Sequence, residues 1–273
     1  MEQERSEPAI AVRGVHKQYG DVHAVVGVDF TVPWGQVCGY LGPNGAGKST
    51  TIRMLAGILQ PTSGSIAIAG HDLAAAPLEA RRALGFVPDA GALYGLLSAR
   101  EHVALIADLY ELDPTRAHER AEELLSLFDA SDLMDRRVDT LSKGQTQKVA
   151  LTMGLLHEPR VLLLDEPLSG LDAASARVLK DLLRGFADRG NAVLYSSHIL
   201  DVVERLCDRA VILHEGRIVA DAPTGELVAR GSDKTLESVF HALTRAEDVE
   251  GLADAFLDGK SKSKKKSKKK KKK

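Results

Sequence analysis

The chain has 273 residues, 44% of them hydrophobic, so it is long enough to bury a full core as one large domain or as a domain with a subdomain. Its formal net charge of −2 hides an asymmetry, because residues 260–273 contain eleven lysines and no acidic residue. The other 25 lysines and arginines are outnumbered by 38 acidic residues, a formal charge of −13. An acidic body argues against nucleic acid as a partner, since a basic surface is typical of nucleic-acid binding.

Cysteine content and hydropathy indicate the cellular environment that the protein is expected to occupy. Cys38 and Cys207 are too few for a disulfide framework and lack metal-ligand spacing, which favours a reducing cytosolic environment. The first ten residues are acidic and do not resemble a secretory signal. No stretch approaches the roughly 18 apolar residues of a transmembrane helix, so we expect the chain not to span a membrane by itself.

Residues 9–90 are predicted to be rich in strands, with one helix. Short apolar runs alternate there with glycine and proline: "AIAVRGV", "VGVDFTV", "QVCGYLG", "GSIAIAG" and "LGFVP". The helix is predicted over "TTIRMLAGIL".

Residues 99–137 are predicted to form a small helical insert, since they lack glycine and are interrupted by "LDPT". Apolar side chains recur there at helical spacing, and we expect them to pack in the core rather than to form a partner surface. They are Val103, Ile106, Leu109, Leu124, Leu127 and Phe128.

The pattern from residue 141 onward predicts a parallel sheet covered by helices. A helix is followed by the strand "VLLLD", a second helix, the strand "AVLYSSH", a third helix and the strand-like "AVILHEGRIVA". This alternation is typical of α/β folds.

The stretch "GPNGAGKST" fits the phosphate-loop pattern G-x-x-x-x-G-K-[ST] between a predicted strand and a predicted helix. Its glycines let backbone N–H groups face phosphates, and the helix that follows adds its positive N-terminal end. Lys48 is suited to the β- and γ-phosphates, and the Ser49 hydroxyl is suited to Mg²⁺. The alternative is a glycine-rich turn without a ligand. The predicted nucleotide-binding residues here are Gly42, Pro43, Asn44, Gly45, Ala46, Gly47, Lys48, Ser49 and Thr50.

Two carboxylates follow the apolar run of "VLLLDEP". A strand buried on both faces would bring Asp165 and Glu166 out at its C-terminal edge, where ligands bind in open α/β sheets. Asp165 is then a candidate to hold Mg²⁺ through water, and Glu166 is the candidate general base for an attacking water. Without the phosphate loop, the same pair would suggest a solvated turn.

Together these residues resemble the nucleotide-binding subunit of an ATP-binding cassette (ABC) transporter, over about residues 9–244. Gly42 to Thr50 match the Walker A loop of that family, and Val161 to Glu166 match Walker B. "LSKGQ", Leu141 to Gln145, resembles the LSGGQ signature, and "SGLD", Ser169 to Asp172, matches the D-loop. His198 in "YSSH" matches the switch histidine, and Tyr19 lies where the family stacks an aromatic ring on adenine.

The resemblance implies an α/β P-loop NTPase fold with an antiparallel β subdomain and an α-helical subdomain. The implied ATPase domain is 9–230, with its helical subdomain at about 90–140, followed by a C-terminal extension at 231–259. It also implies ATP and Mg²⁺ as cofactors, ATP hydrolysis coupled to transport, and Lys48, Glu166 and His198 as catalytic residues. The implied partner is an integral-membrane permease subunit at the cytoplasmic face of the cell membrane.

The resemblance also implies a second ABC ATPase subunit. In the family two cassettes meet head to tail, and each signature caps the nucleotide on the other subunit's Walker A loop. Taken alone, "LSKGQ" would be an ordinary helix cap. The residues implied at this second site are Ser142, Gly144, Gln145 and Asp172.

Two positions depart from the family pattern. Lys143 stands where the signature usually has glycine, which restricts the backbone and adds positive charge near the phosphate. Asp89 follows "LGFVP" where the family commonly has a glutamine that touches Mg²⁺ and the membrane partner. Because an acid can still bind a cation or its waters, Asp89 is a third candidate metal ligand beside Ser49 and Asp165.

The stretches "TLESVFHALT" and "PDAGALYGLLSARE" resemble the exporter-type branch of the family. The competing interpretation is a non-transport ABC ATPase that acts on the ribosome or on DNA. Such proteins usually carry two cassettes or a long inserted coiled coil, and neither is present.

The lysine tail, residues 260–273, has two interpretations. It is predicted to be a disordered, solvated segment or an artificial addition. The functional alternative is a contact with anionic lipid.

Overall fold

The computed structural model describes residues 7–89, 93–231 and 233–244. Within these ranges the strands are β1 Ile10–Tyr19, β2 Val22–Val32, β3 Val37–Leu41, β4 Ser63–Ile68, β5 His71–Asp72, β6 Leu84–Val87, β7 Val161–Asp165, β8 Ala192–Ser196, β9 Arg209–His214 and β10 Arg217–Pro223. The α-helices are α1 Lys48–Leu55, α2 Pro77–Arg82, α3 Ala99–Tyr110, α4 Pro114–Leu127, α5 Lys143–Leu155, α6 Ala173–Asp188, α7 Leu200–Leu206, α8 Thr224–Arg230 and α9 Leu236–Thr244. Short 3₁₀ turns lie at Ser131–Leu133 and Val138–Thr140.

A six-stranded sheet in the order β10-β9-β3-β8-β7-β6 forms the centre of the protein. The neighbours β9, β3, β8, β7 and β6 pair in parallel, which confirms the predicted parallel sheet. All residues of β3, β7 and β8 are buried, because helices or the second sheet cover both faces.

The strand-like stretch "AVILHEGRIVA" forms two strands rather than one. It folds into the antiparallel pair β9 and β10, with Glu215 and Gly216 at the turn in the left-handed region at φ of 47° and 75°. The glycine after an acidic residue is the local signal for this hairpin.

A second, antiparallel sheet has the order β2-β1-β4-β5. Its inner residues share one apolar cluster with α1 and with the near face of the parallel sheet, including Ile10, Phe30, Ile52, Leu163 and Leu194. Helix α1 is therefore held between two sheets, and the loop that precedes it is fixed from both sides.

The predicted helical insert consists of α3 and α4. A capping box of Ser98 and Glu101 begins α3, and Asp113 followed by Pro114 begins α4. Val103 and Phe128 are buried in a cluster shared with α5, as predicted. The prediction was wrong for Leu109 and Leu127, which are 66% and 55% exposed.

The exposure of these two leucines has a geometric reason. The apolar residues of α3 and α4 are spaced widely enough to cover more than the face that contacts α5, so the edge of the stripe remains at the surface.

Helix α2 was not predicted, and residues 9–90 thus hold two helices instead of one. The helix has six residues, begins at Pro77 and buries only Ala80. A helix this short with one buried alanine has no apolar stripe for a sequence pattern to detect.

The other sequence predictions for this fold concern membrane spans and domain limits. Among the described residues, none of the helices combines the length and apolar character that crossing a bilayer requires. The division into 9–230 and 231–259 stays a prediction, and most of that extension, with the lysine tail, lies outside the described residues.

The contact between β6 and α5 gives a test of the packing. A Cβ atom at Gly85 would overlap the carbonyl oxygen of Gly154 and crowd Pro159. We expect Gly85→Ala to lower the free energy of unfolding by about 1–3 kcal/mol, because the backbone of α5 must move away from the sheet. Urea unfolding followed by circular dichroism measures this change.

Gly225→Ala is the matched control, since a Cβ at Gly225 in α8 has no atom within 4 Å. It should leave the protein as stable or more stable by up to about 1 kcal/mol. If the two substitutions changed the free energy of unfolding equally, this would contradict the close approach of β6 and α5.

Candidate functional site

The loop between β3 and α1 contains the predicted phosphate-binding residues, and its shape depends on glycine. Gly47 has φ of 104°, and a Cβ atom there would lie 2.5 Å from the Ala24 carbonyl oxygen. A Cβ atom at Gly42 would overlap the carbonyl oxygen of Leu213. The loop is thus pressed between β2 and β9, directly before the N-terminus of α1.

Lys48, the first residue of α1, folds back over this loop. Its ammonium donates to the carbonyl oxygens of Gly42 at 2.5 Å and Pro43 at 3.2 Å. The Thr51 hydroxyl donates to the Gly47 carbonyl at 3.1 Å and accepts from the Tyr40 hydroxyl at 3.2 Å. The cation and the loop therefore form one hydrogen-bonded unit at the base of a cleft.

This cleft has a volume of about 510 Å³ and brings together residues from both halves of the sequence. Predicted site residues in its lining are Asn44, Lys48, Ser49, Asp89, Asp165, Glu166 and His198. The other lining residues are Arg53, Ile58, Phe86, Pro88, Lys143 and Ser169. The structure thus places the end of β6, the end of β7 and the start of α1 around one space, as expected at the carboxyl edge of a parallel sheet.

Glu166 is held in an uncommon backbone conformation directly after β7. Its φ is 50°, in the left-handed region, and its N–H donates to the Ser196 carbonyl at 3.0 Å. The turn directs the Glu166 side chain into the cleft, where it is 19% exposed.

The carboxylate of Glu166 has two side-chain partners that follow β8. His198 Nδ1 lies 2.9 Å from Oε1, and the Ser197 hydroxyl donates to Oε2 at 3.3 Å. Ser197 also accepts from the Ile199 N–H at 3.1 Å. The sequence predicted Glu166 and His198 as site residues but not Ser197, although a hydroxyl directly before His198 in "YSSH" was an available signal.

Burial and neighbouring charges shift two ionisable groups in the cleft. Burial raises the pKa of Asp165, and the charges of Glu166 and Asp89 raise it further. Burial lowers the pKa of the Lys48 ammonium, while Glu166 and Asp165 oppose this change by raising it. The acidic groups crowd one another, and a cation placed among them would relieve that repulsion.

The described residues do not form a metal cage of their own, since no three His, Cys, Asp or Glu side chains among them are grouped to hold an ion. Ser49, Asp89 and Asp165 nevertheless share the cleft. Their oxygen atoms suit a hard cation that also takes ligands from a substrate or from water.

The signature residues begin α5 as a helix cap. Ser142 Oγ accepts from the Gln145 N–H at 3.3 Å, and Gln145 Oε1 accepts from the Ser142 N–H at 3.0 Å. Gly144 lies against the backbone of Gly170, where a Cβ atom would overlap the Gly170 carbonyl oxygen. This capping box accounts for the residue types locally, and a role toward a second subunit's nucleotide stays a prediction.

Asp172 caps the next helix, α6. It accepts from the Ser175 N–H at 2.8 Å and the Ser175 hydroxyl at 3.0 Å, and these bonds lower its pKa to about 2. Asp172 is not among the residues that line the cleft, and neither are Ser142, Gly144, Gln145 and Tyr19.

Tyr19 lies at the end of β1 and is 48% exposed. The Lys17 ammonium lies 5.1 Å from the centre of that ring. Stacking of Tyr19 on adenine stays a prediction.

The charges in the cleft give a test of its electrostatics. We expect Glu166→Gln to lower the pKa of Lys48 further, because the glutamine keeps the size of the side chain and removes a negative charge that stabilises the ammonium. An NMR titration with ¹³C-labelled lysine measures the change. Glu237→Gln, at an exposed position of α9, is the control and should leave Lys48 as it is; an unchanged or raised Lys48 pKa in Glu166→Gln would contradict the arrangement.

Comparison with known proteins agrees with this geometry. Residues 25–169 match the family described as ABC transporter. The daunorubicin/doxorubicin resistance ATP-binding protein DrrA of Streptomyces peucetius is 36% identical over 249 residues, which cover 91% of this chain and 76% of that protein.

Two solved structures are similar in fold. The structure of an ATP-binding subunit of an ABC transporter has a TM-score of 0.81 and 32% identity, covering 86% of this chain and 99% of its own. A cassette described as a dimeric post-hydrolysis state bound to ADP and phosphate has a TM-score of 0.73 and 25% identity, covering 79% of this chain and 98% of its own. The chain therefore belongs to the ABC transporter family, as an ATP-binding and ATP-hydrolysing subunit.

Proposed function

We propose that the chain binds MgATP in the cleft, hydrolyses it with Glu166 as general base, and energises export through a separate integral-membrane permease at the cytoplasmic face of the cell membrane. The observation that carries this proposal is that one cleft gathers Lys48, Ser49, Asp165, Glu166 and His198. The resistance protein DrrA is a relative whose name fits export, as do the exporter-type sequence stretches.

The loop residues Gly42 to Thr50 hold the phosphates of ATP in this proposal. Backbone N–H groups and the N-terminus of α1 bind the phosphate oxygens, and Lys48 turns its ammonium from the loop carbonyls to the β- and γ-phosphates. Tyr19, at the end of β1, stacks on the adenine.

Ser49, Asp165 and Asp89 are the residues that would hold Mg²⁺. Burial raises the pKa of Asp165 and the charges of Glu166 and Asp89 add to this shift, which supports the assignment because a divalent cation stabilises the ionised carboxylates. When bound, Mg²⁺ neutralises negative charge on the phosphate oxygens.

Glu166 accepts a proton from the attacking water. His198 and Ser197 each contact one oxygen of its carboxylate, so the carboxylate is oriented before the substrate arrives. His198 is 71% exposed and thus accessible to the γ-phosphate.

The second partner in this proposal is another ABC ATPase subunit, identical or different. Ser142, Gly144 and Gln145 at the start of α5, together with Asp172, then face the nucleotide of that subunit. The start of α5 offers backbone N–H groups and a positive helix end to a γ-phosphate. The similar cassette described as dimeric supports this arrangement.

The experiment that tests the function is Glu166→Gln. Glutamine keeps the size of the side chain but is not a base, so we expect ATP hydrolysis to fall by about 10²- to 10⁴-fold while MgATP affinity stays within about threefold. Phosphate release and nucleotide titration measure the two quantities. Near-normal hydrolysis would contradict the assignment of the base.

In the Glu166→Gln background we expect MgATP to convert the chain from monomer to dimer, because the retained γ-phosphate continues to bridge two subunits. Light scattering measures the mass. Adding Ser142→Glu should abolish the dimer and retain ATP binding, since it sets a negative charge against the phosphate. Ser126→Glu, an equal charge change at an exposed position of α4, is the control. If the dimer still forms with Ser142→Glu, then "LSKGQ" is only a helix cap and does not bind the second subunit's nucleotide.

Contact with anionic lipid is the functional alternative for the lysine tail, beside the interpretation as a solvated segment or an artificial addition, and a deletion tests it. Each lysine near such a surface contributes up to about 1 kcal/mol, so removing residues 260–273 should weaken binding to vesicles that contain phosphatidylserine and leave ATPase activity unchanged. A variant with glutamine at the eleven lysines should behave like the deletion. Vesicle binding that is insensitive to the deletion or to salt would exclude this contact.

A further inference from the structure

Lys143 is the first residue of α5 and stands where the family signature usually has glycine. Its side chain reaches away from its own helix, and its ammonium donates to the Ser169 hydroxyl at 2.6 Å. Lys143 and Ser169 both line the cleft that contains Glu166 of the same chain. A residue of the signature thus contacts the site of its own subunit.

Two further side chains of α5 contact the segment that contains Ser169. Gln147 donates to the Pro167 carbonyl at 3.2 Å, and the Lys148 ammonium lies 3.4 Å from Asp172. Residues 143 and 147 share a helix face because they are four positions apart, and the long side chain of Lys148 reaches Asp172 from the neighbouring position. Helix α5 therefore holds the segment 167–172 at its beginning, middle and end.

This segment is joined directly to Glu166. The Ser169 N–H donates to the Glu166 carbonyl at 3.0 Å, which closes a tight turn. Glu166 at φ of 50° and Gly170 at φ of 79° bracket the turn in left-handed conformations. Displacement of Ser169 would therefore act on the backbone that directs the Glu166 carboxylate.

We propose that Lys143 is a positioning residue for its own subunit's cleft: through Ser169 it holds the turn 166–169, and with it the Glu166 carboxylate, in place. The inference rests on the proposed role of Glu166 as base. Lys143 acts on Glu166 through the backbone of the turn. His198 and Ser197, which follow β8, contact the Glu166 carboxylate directly. A glycine at position 143 would lack this contact, since only a long side chain with a donor reaches Ser169.

The first test is amide hydrogen exchange in the isolated full-length chain, without nucleotide. Lys143→Ala should speed exchange across residues 166–171 by about two- to fivefold, because an exposed charged hydrogen bond contributes modestly. Ser169→Ala should have the same effect, and the double variant should add nothing to either single one. Lys143→Arg should preserve protection.

Lys180→Ala is the control, a lysine on α6. Exchange that does not change in Lys143→Ala, or that changes equally in Lys180→Ala, would overturn the proposal.

The second test separates positioning from a purely structural effect. We expect Lys143→Ala to lower kcat for ATP hydrolysis by about three- to tenfold with KM for ATP unchanged, and Lys143→Arg to restore kcat. Faster exchange with unchanged kcat, or a loss confined to KM, would also overturn it. If the proposed function is wrong, Glu166→Gln will hydrolyse ATP normally. That result is distinguishable, because the exchange measurement does not depend on hydrolysis.

Discussion

The burial of β7 on both faces determines where this protein can place charge. Its five residues, Val161–Asp165, have no exposed side chain, so the first position at which the chain can present free carboxylates is the end of the strand. The neighbours β6 and β8 end at the same edge and add Asp89 and His198. Because the strands are parallel, their carboxyl ends lie at one edge of the sheet, and residues far apart in sequence meet at one cleft.

The electrostatics of that cleft follow from its partial enclosure. Burial raises the pKa of Asp165 and lowers the pKa of Lys48, so each group alone would be less stable in its charged form. Placed together they compensate each other. The arrangement favours ligands that bring both signs of charge, such as a polyanion with its metal ion.

Sequence patterns predicted the parallel sheet and the grouping of Lys48, Asp165 and Glu166, because a phosphate loop and a buried strand end are local features. They missed Ser197 and the Lys143–Ser169 contact, since these depend on which loops meet in space. Helix α2 is too short for periodicity to detect. Leu109 was assigned to the core because spacing identifies an apolar stripe but not how much of it a neighbour covers.

The left-handed backbone at Glu166 affects which substitutions at this position would stabilise the protein. Glycine or asparagine would occupy that conformation with less strain, so selection for thermal robustness alone would tend to replace the glutamate. A chain that retains glutamate there gives up some conformational stability for an aimed carboxylate. Stability screens that ignore turnover would thus enrich glycine or asparagine at this position.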